Sequence, residues 1–349
     1  MKDRSENQGT KSAAIRARRR RLTANEYVDG ILAGNRAVLA RAITLIESEL
    51  AQDADVAGEV LDRCLPHTGN SLRLGISGVP GVGKSTFIEA LGTYLTRERC
   101  ETVAVLSVDP SSPISGGSIL GDKTRMERLA TDDRAFIRPS PSRGHLGGVA
   151  RSTREAMLLC EAAGFRNLIV ETVGVGQSET AVRSMVDFFL LLILAGAGDE
   201  LQGMKRGILE ITDLIAINKA DGDNLARAER ARSEYASALH LFAASADGWQ
   251  PRAVTCSAAV GTGIREIWDT VLAHRRLVQD NGWFERRRSA QALSWMQEAL
   301  LSGLEVSFHR NARVKSRQAA LEADVLAGRI SPFRAARELL ELFRSKTAQ

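Results

Sequence analysis

The run Gly78-Val79-Pro80-Gly81-Val82-Gly83-Lys84-Ser85 has the spacing of a phosphate-binding loop, G-x-x-x-x-G-K-[ST]. Glycines let successive backbone N–H groups turn inward around an oxyanion, and a helix opening at the loop's end adds partial positive charge. Lys84 is then expected to reach the β- and γ-phosphates from a solvent-facing position. The Ser85 hydroxyl is expected to ligate magnesium, and Thr86 continues the nucleotide-binding run. A second run, Asn218-Lys219-Ala220-Asp221, fits N-K-x-D. A carboxylate at its end can accept from both N1–H and the 2-amino group of guanine, whereas adenine would leave it unpaired. Ser257-Ala258, further along, fits a loop that backs the base. In Glu171-Thr172-Val173-Gly174 the glycine N–H is placed to meet a γ-phosphate. Glu171 is expected to act on magnesium through water, since that ion keeps several waters and takes few carboxylates. Asp109 and Asp122 are further acids placed to join a metal shell, and either reads equally well as a turn aspartate.

These residues need a scaffold that gathers them at one place. The phosphate, guanine, Glu171 and Ser257 motifs, and Asp109, each follow or close an apolar, β-rich stretch: 72–77, 102–108, 167–170, 213–217 and 253–256, with the run FFLLLIL at 188–194 a sixth such stretch. Helical stretches separate most of them, which predicts a mostly parallel sheet flanked by helices, an α/β P-loop NTPase. Ligands bind at the carboxyl edge of such a sheet. Before it, Val28, Ile31, Leu39, Ile43, Ile46 and Leu50 recur at helical spacing, predicting two or three helices. After it, Leu293, Met296, Leu300, Leu304 and Phe308 form one apolar stripe, Ser331-Pro332 opens a helix, and Leu339, Leu340 and Phe343 supply its apolar face. The expected division is a basic arm at 1–22, a helical extension at 23–69, a GTPase domain at 70–282 and a helical arm at 283–349.

Composition limits the alternatives. At 349 residues and 44% hydrophobic, the chain can bury a substantial core, and no apolar run approaches the length needed to span a bilayer. The first residues carry no apolar signal segment, and Asp3 and Glu6 argue against a transit peptide. Cys64, Cys100, Cys160 and Cys256 are far apart without a CxxC pair, which predicts reduced thiols and a cytoplasmic protein. The net charge of +5 is concentrated in RARRRR, residues 16–21, with no interleaved aromatic residue; it reads as a solvated arm, and nucleic acid is not the expected partner.

Further blocks carry a more specific resemblance. Asp109-Pro-Ser-Ser, GGSILGDKTRM (116–126), RPSPSRGHLGG (138–148), ETVGVGQSE (171–179), AGAGDELQGMKRGILE (195–210) and NKAD together resemble the MeaB family, relatives of the methylmalonic aciduria type A protein. The blocks span roughly residues 70–260. The resemblance implies a GTPase chaperone that gates adenosylcobalamin delivery to, and protects, a coenzyme B12-dependent acyl-CoA mutase, chiefly methylmalonyl-CoA mutase. It implies Ser85, Asp109, Asp122 and Glu171 around magnesium, a first switch containing Asp122 and Lys123, and a second at 174–179. It also implies a third switch at 198–207, in which Lys205 links nucleotide state to the partner; without the resemblance, Lys205 reads as a solvated lysine. Lys84, Glu171, Gly174 and Lys205 thus form the expected catalytic set. His145 and Arg143 depart from the pattern of their loop.

Val175 stands where Ras-like GTPases carry a water-orienting glutamine, so intrinsic hydrolysis is expected to be slow, about 10⁻⁴ to 10⁻² s⁻¹. The aromatic and aliphatic load of Trp283, Phe284, Trp295, Leu300, Phe308 and Phe343 must cover the core, itself or a second chain; the resemblance favours a homodimer. A nickel-insertion GTPase would need clustered His or Cys, whereas His67, His145, His240, His274 and His309 are scattered. A kinase acting on a small substrate or transport protein would need a group to activate a hydroxyl, and none stands out.

Overall fold

The computed structural model describes residues 21–48, 50–108, 126–139, 146–172, 178–195, 206–240 and 245–345. Three helices come first: α1 (Ala24–Leu32), α2 (Arg36–Ile46) and α3 (Ala51–Cys64). Thr23 and Glu26 cap α1 reciprocally, and the Asn35 side chain caps α2 by accepting from Ala37 and Val38 N–H groups. The strands are β1 (Leu72–Gly78), β2 (Val103–Val108), β3 (Ala135–Pro139), β4 (Asn167–Thr172), β5 (Phe188–Leu194), β6 (Leu214–Asn218) and β7 (Arg252–Thr255). They form one sheet in the order β3-β2-β4-β1-β5-β6-β7, every pair parallel.

Between strands lie α4 (Lys84–Thr93), α5 (Glu127–Ala130), α6 (Leu146–Ala162), α7 (Ser178–Arg183), α8 (Arg206–Glu210) and α9 (Leu225–Leu239). After β7 come α10 (Ile264–Asp280), α11 (Trp283–Arg310), α12 (Ala312–Leu326) and α13 (Pro332–Arg344). One face of the sheet, with Leu74, Ile76, Val105, Leu190 and Leu214, packs on Phe87, Ile88 and Leu91 of α4 and Ile267, Trp268 and Val271 of α10. The other face divides. Ala104, Leu106, Leu168, Val170 and Phe189 meet α6 and the first three helices, while Leu191, Ile193, Ile215 and Ile217 meet α9. Coverage on both faces explains why β1, β2 and β4 are buried throughout, including their polar residues Arg73, Ser107 and Glu171.

The sequence reading missed β3. AFIRP is short, carries Arg138 and ends at a proline, and only its place on the sheet edge, paired with β2 alone, makes it a strand. α4 ends at Thr93, and a π turn (Tyr94–Glu98) continues the coil beyond it.

The long helix α11 has two different halves. Its first half lies along the amino edge of the sheet. There Arg287 donates to the Asp187 carbonyl (3.0 Å), Gln291 donates to the Val186 carbonyl (3.1 Å), and Trp295 sits between the guanidinium groups of Arg73 and Arg154, 5.5 Å from each. Its second half exposes Leu300, Leu301 and Leu304, while Phe308 meets Phe343 of α13 edge-on. Val314, Leu321 and Ala335 form the small buried seam of the final helical hairpin.

Candidate functional site at the carboxyl edge of the sheet

β1 delivers the glycine loop and α4 starts at Lys84, with Gly83 as its N-terminal cap at φ +94°. Gly83 is required twice over: its backbone is left-handed, and an added Cβ would lie 2.9 Å from the Asn218 amide nitrogen. At Gly78 a Cβ would come within 2.5 Å of the Leu192 carbonyl oxygen of β5. The loop is thus pressed against neighbouring strands.

The close approach of Asn218 has a purpose. Its Nδ2 donates to the Val82 carbonyl (2.8 Å) and its Oδ1 accepts from the Ala258 N–H (3.1 Å). Lys219 Nζ donates to the Gly81 carbonyl (3.0 Å), and the Ser257 hydroxyl donates to the Asp221 carboxylate. Three loops, after β1, β6 and β7, are therefore tied into one unit through side chains of the N-K-x-D run. Lys219 holds φ +60°, a left-handed conformation costing a non-glycine residue about 1–2 kcal/mol. Asn224 supports that turn by donating to the Lys219 carbonyl (2.7 Å). Cys256, beneath the unit, is pushed up to about 12 by burial and stays a neutral thiol.

Lys84 corrects one expectation: it is buried, and its ammonium donates to the Gly78 (2.7 Å) and Val79 (3.3 Å) carbonyls of its own loop. Burial lowers its pKa, and the charges of Glu171 and Glu179 pull it back up. Ser85 is half-buried, and Thr86 is exposed. Glu171 is buried at the end of β4, in register with Ile76 and Ser107. Its neighbour Thr172 donates to the Ser77 hydroxyl (2.8 Å), which locks the ends of β4 and β1 together.

Two groups escaped the sequence reading. Glu179, which closes the second switch implied by the resemblance, is buried on α7 and acts electrostatically on Lys84, a contact that the sequence does not indicate. The Ser107 hydroxyl is buried with no hydrogen-bond partner among the described residues, two positions before Asp109. Asp109, Asp122, Lys123, Arg143, His145, Gly174, Val175 and Lys205 lie outside the described residues. The donors that remain, the Ser85 hydroxyl, the Glu171 carboxylate and the Ser107 hydroxyl, are hard oxygens. That is the chemistry magnesium selects and soft metals do not.

One other group of possible metal ligands occurs among the described residues, Asp213, Asp247 and His274, all buried. It sits at the amino edge. Its carboxylates already accept from Arg183 (2.5 Å), the Phe189 N–H (2.8 Å), the Ser245 hydroxyl and the Trp249 N–H (2.9 Å), so they are structural. None of the four cysteines is paired, and no helix among the described residues is long and apolar enough to cross a membrane.

Comparison with known proteins agrees with this geometry. The family described as "Methylmalonyl Co-A mutase-associated GTPase MeaB" matches residues 39–312. GTPase ArgK of Escherichia coli is 51% identical over 276 residues, covering 79% of this chain and 83% of that protein. The mouse protein named methylmalonic aciduria type A homolog, mitochondrial, is 45% identical over 327 residues, covering 91% of this chain and 79% of that one. Among solved structures, one titled as a LAO/AO transport system kinase superposes with a TM-score of 0.73 at 39% identity, covering 92% of this chain and 98% of its own. With a phosphate loop, an N-K-x-D loop joined to it and a match along most of its length, the chain belongs to the MeaB family of P-loop GTPases, which bind and hydrolyse GTP.

Proposed function

We propose that this GTPase is a nucleotide-gated chaperone of a coenzyme B12-dependent acyl-CoA mutase, methylmalonyl-CoA mutase or a close relative. In this role it gates adenosylcobalamin delivery and protects the mutase. The observation that carries the reading is the family match over residues 39–312, a family described by its association with that mutase. The proposed division of the chain is a basic arm (1–22), a helical extension (23–69), the GTPase domain (70–282) and a C-terminal arm (283–349), in the cytoplasm.

Within the site, the backbone N–H groups from Gly78 to Ser85 and Thr86 cradle the phosphates, and Lys84 exchanges its loop carbonyls for β- and γ-phosphate oxygens. Asp221, backed by Ser257, reads the guanine N1–H and 2-amino group, and Asn218, Lys219 and Ala258 hold that reader against the phosphate loop. Ser85, Glu171, Asp109 and Asp122 would hold magnesium, which would supply positive charge against the developing negative charge of the phosphates. Gly174 senses the γ-phosphate, and Lys205 carries that state to the partner. Without a glutamine after Gly174 the intrinsic rate is about 10⁻⁴ to 10⁻² s⁻¹, suited to a switch that a partner accelerates.

The test is GTP turnover with and without a B12-dependent acyl-CoA mutase, in wild type and Lys205→Ala, with nucleotide affinity measured in parallel. Mutase is expected to raise turnover at least about tenfold, and Lys205→Ala to lose that stimulation while keeping GTP affinity. A mutase that leaves turnover unchanged sinks the chaperone role.

The same reading includes a homodimer joined by the C-terminal arm. Leu293, Met296, Leu300 and Leu304, at helical spacing on α11, are 59, 61, 61 and 51% exposed, a continuous apolar face that a second copy would cover. Shortening the chain to residue 280 would strip the amino edge of Arg288 and Gln291, so the cleaner probe is Leu300→Glu with Leu304→Glu. Light scattering is expected to give a dimer for wild type and a monomer for this variant; a monomeric wild type removes the proposal.

A further inference from the structure

The amino edge of the sheet, opposite the nucleotide loops, carries a cleft of about 400 Å³ lined by Arg183, Ser245, Asp247, Trp283, Arg286 and Arg287. That volume falls within the range of small-molecule sites. Three guanidinium groups in one lining is an excess of positive charge, and the three differ in their partners. Arg183 is committed to Asp213, with contacts of 2.5 and 3.0 Å. Arg286 is exposed, lies 5.4 Å from the Trp283 ring centroid and donates to the Asn281 carbonyl (3.1 Å). Arg287 is half-buried and spends one N–H on the Asp187 carbonyl (3.0 Å); among the described residues no carboxylate lies within ion-pair distance of it.

That makes Arg287 unusual within its own turn of helix. Its neighbour Arg288 has two carboxylates, Asp187 and Glu161, and its pKa is held up by them. Arg287 is instead pushed down to about 10, by burial first and by the nearby Arg183 second, with the surrounding carboxylates offsetting only part. The one acid in the lining, Asp247, is already shared among the Ser245 hydroxyl, the Trp249 N–H and His274 Nε2 at 3.5 Å. A half-buried guanidinium whose remaining N–H groups are not taken by protein acceptors among the described residues can donate to an anion, and its planar fork suits two oxygens of one oxyanion.

We propose that this cleft is a second, non-nucleotide site that binds a phosphate group. Arg287 and Arg286 donate to its oxygens, and Trp283 supplies apolar surface for the organic part of a phosphomonoester. The bound anion joins the start of α11 to the end of α7 and to the 245–247 loop, so it braces the C-terminal arm against the GTPase domain.

The test uses full-length protein loaded with GDP and magnesium, so that the phosphate loop is occupied. Inorganic phosphate and phenyl phosphate are titrated by calorimetry and by thermal unfolding, with potassium chloride at matched ionic strength as reference. Wild type is compared with Arg287→Gln and with Arg286→Gln at the exposed position. Phosphate is expected to raise the unfolding temperature of wild type beyond chloride, and Arg287→Gln to weaken phosphate binding by about tenfold or more. Without phosphate, Arg287→Gln should be at least as stable as wild type, because it removes a half-buried cation that has no ion-pair partner among the described residues, at the loss of one hydrogen bond to the Asp187 carbonyl. Arg286→Gln should weaken phosphate binding less, with unchanged folding. Tighter binding of phenyl phosphate than of inorganic phosphate assigns the site to a phosphomonoester; equal binding assigns it to the free anion. The proposal is overturned if phosphate acts no differently from chloride, or if both variants bind it as wild type does. It is also overturned if Arg287→Gln is less stable than wild type in the absence of phosphate, which would make Arg287 a structural cation.

Discussion

At the carboxyl edge of the sheet the polar work is done by backbone and by short, single hydrogen bonds: Lys84 on two carbonyls, Asn218 on Val82 and Ala258, Lys219 on Gly81. At the amino edge of the same strands the work is done by charges paired with charges. Arg73 meets Glu161 at 2.7 Å, and Arg288 meets Asp187 at 2.6 and 2.7 Å and Glu161 at 3.4 Å, all with side chains no more than 13% exposed. Ser71 and the Gly69 N–H complete the shell of Glu161. The first edge keeps donors and carbonyls that a ligand can take over. The second leaves nothing in that quartet to exchange, because two cations and two anions already satisfy one another. One sheet thus separates a replaceable polar surface from a fixed charge quartet, and that quartet anchors α11.

The largest effect that would sharpen this contrast is Asp221→Asn. Replacing an acceptor by a donor should cost roughly 10⁴-fold in the preference for guanine over adenine nucleotide and favour xanthine, whose 2-oxo group accepts. Thermal stability should hardly change, since Asp221 is exposed and, among the described residues, its carboxylate accepts only from Ser257. Nucleotide competition assays check the first part and thermal unfolding the second. If wild type binds ATP as tightly as GTP, the base-reading assignment is wrong.

Arg288→Met is the mirror experiment. It leaves Asp187 and Glu161 short of a cation in a buried setting, a loss of about 3–5 kcal/mol. Denaturant unfolding should show that loss while the surviving folded protein keeps its affinity for GDP. Equal stability in the variant would mean that the quartet is ornamental and the two edges do not differ in kind.

The smallest effect is the pH response of the amino edge. Burial raises both carboxylates, but Arg288 and Arg73 outweigh it and hold Asp187 and Glu161 below the ordinary range. Depressed folded values mean that their stabilisation is fully present above the unfolded value, about pH 4, and is lost as pH falls through the lowered ones. The contribution of this quartet should therefore be flat from about pH 8 to pH 5 and fall only below about pH 4. In Arg288→Met the acid limb should move to higher pH. Thermal unfolding across that range, comparing the two proteins, measures it; an unmoved limb would exclude these two groups.

Sequence reading went furthest where the chemistry is local. The phosphate loop, the N-K-x-D run and Ser257-Ala258 are legible because backbone conformation and base geometry demand those residue types at those separations, and β5, covered on both faces, reads as the plain apolar run FFLLLIL. β3 was not legible, because an edge strand has one partner and little need of apolar alternation. Nor was the burial of Lys84, which depends on its own loop folding back over it. Glu179 and Ser107 carried no spacing signal of their own.

What the sequence determined by itself is the class of ligand, a guanine nucleotide, and which loops share one edge of the sheet, since both follow from short-range constraints that a dozen residues can state. Tertiary structure alone decided how the arm is held. Arg288, Asp187, Glu161 and Arg73 lie far apart in the chain, and nothing about an arginine in a helix says which buried carboxylates it will meet. The pairing is fixed only when parallel strands bring their amino ends together and α11 crosses beneath them, because a buried charge is tolerable only where its counter-charge has already been placed.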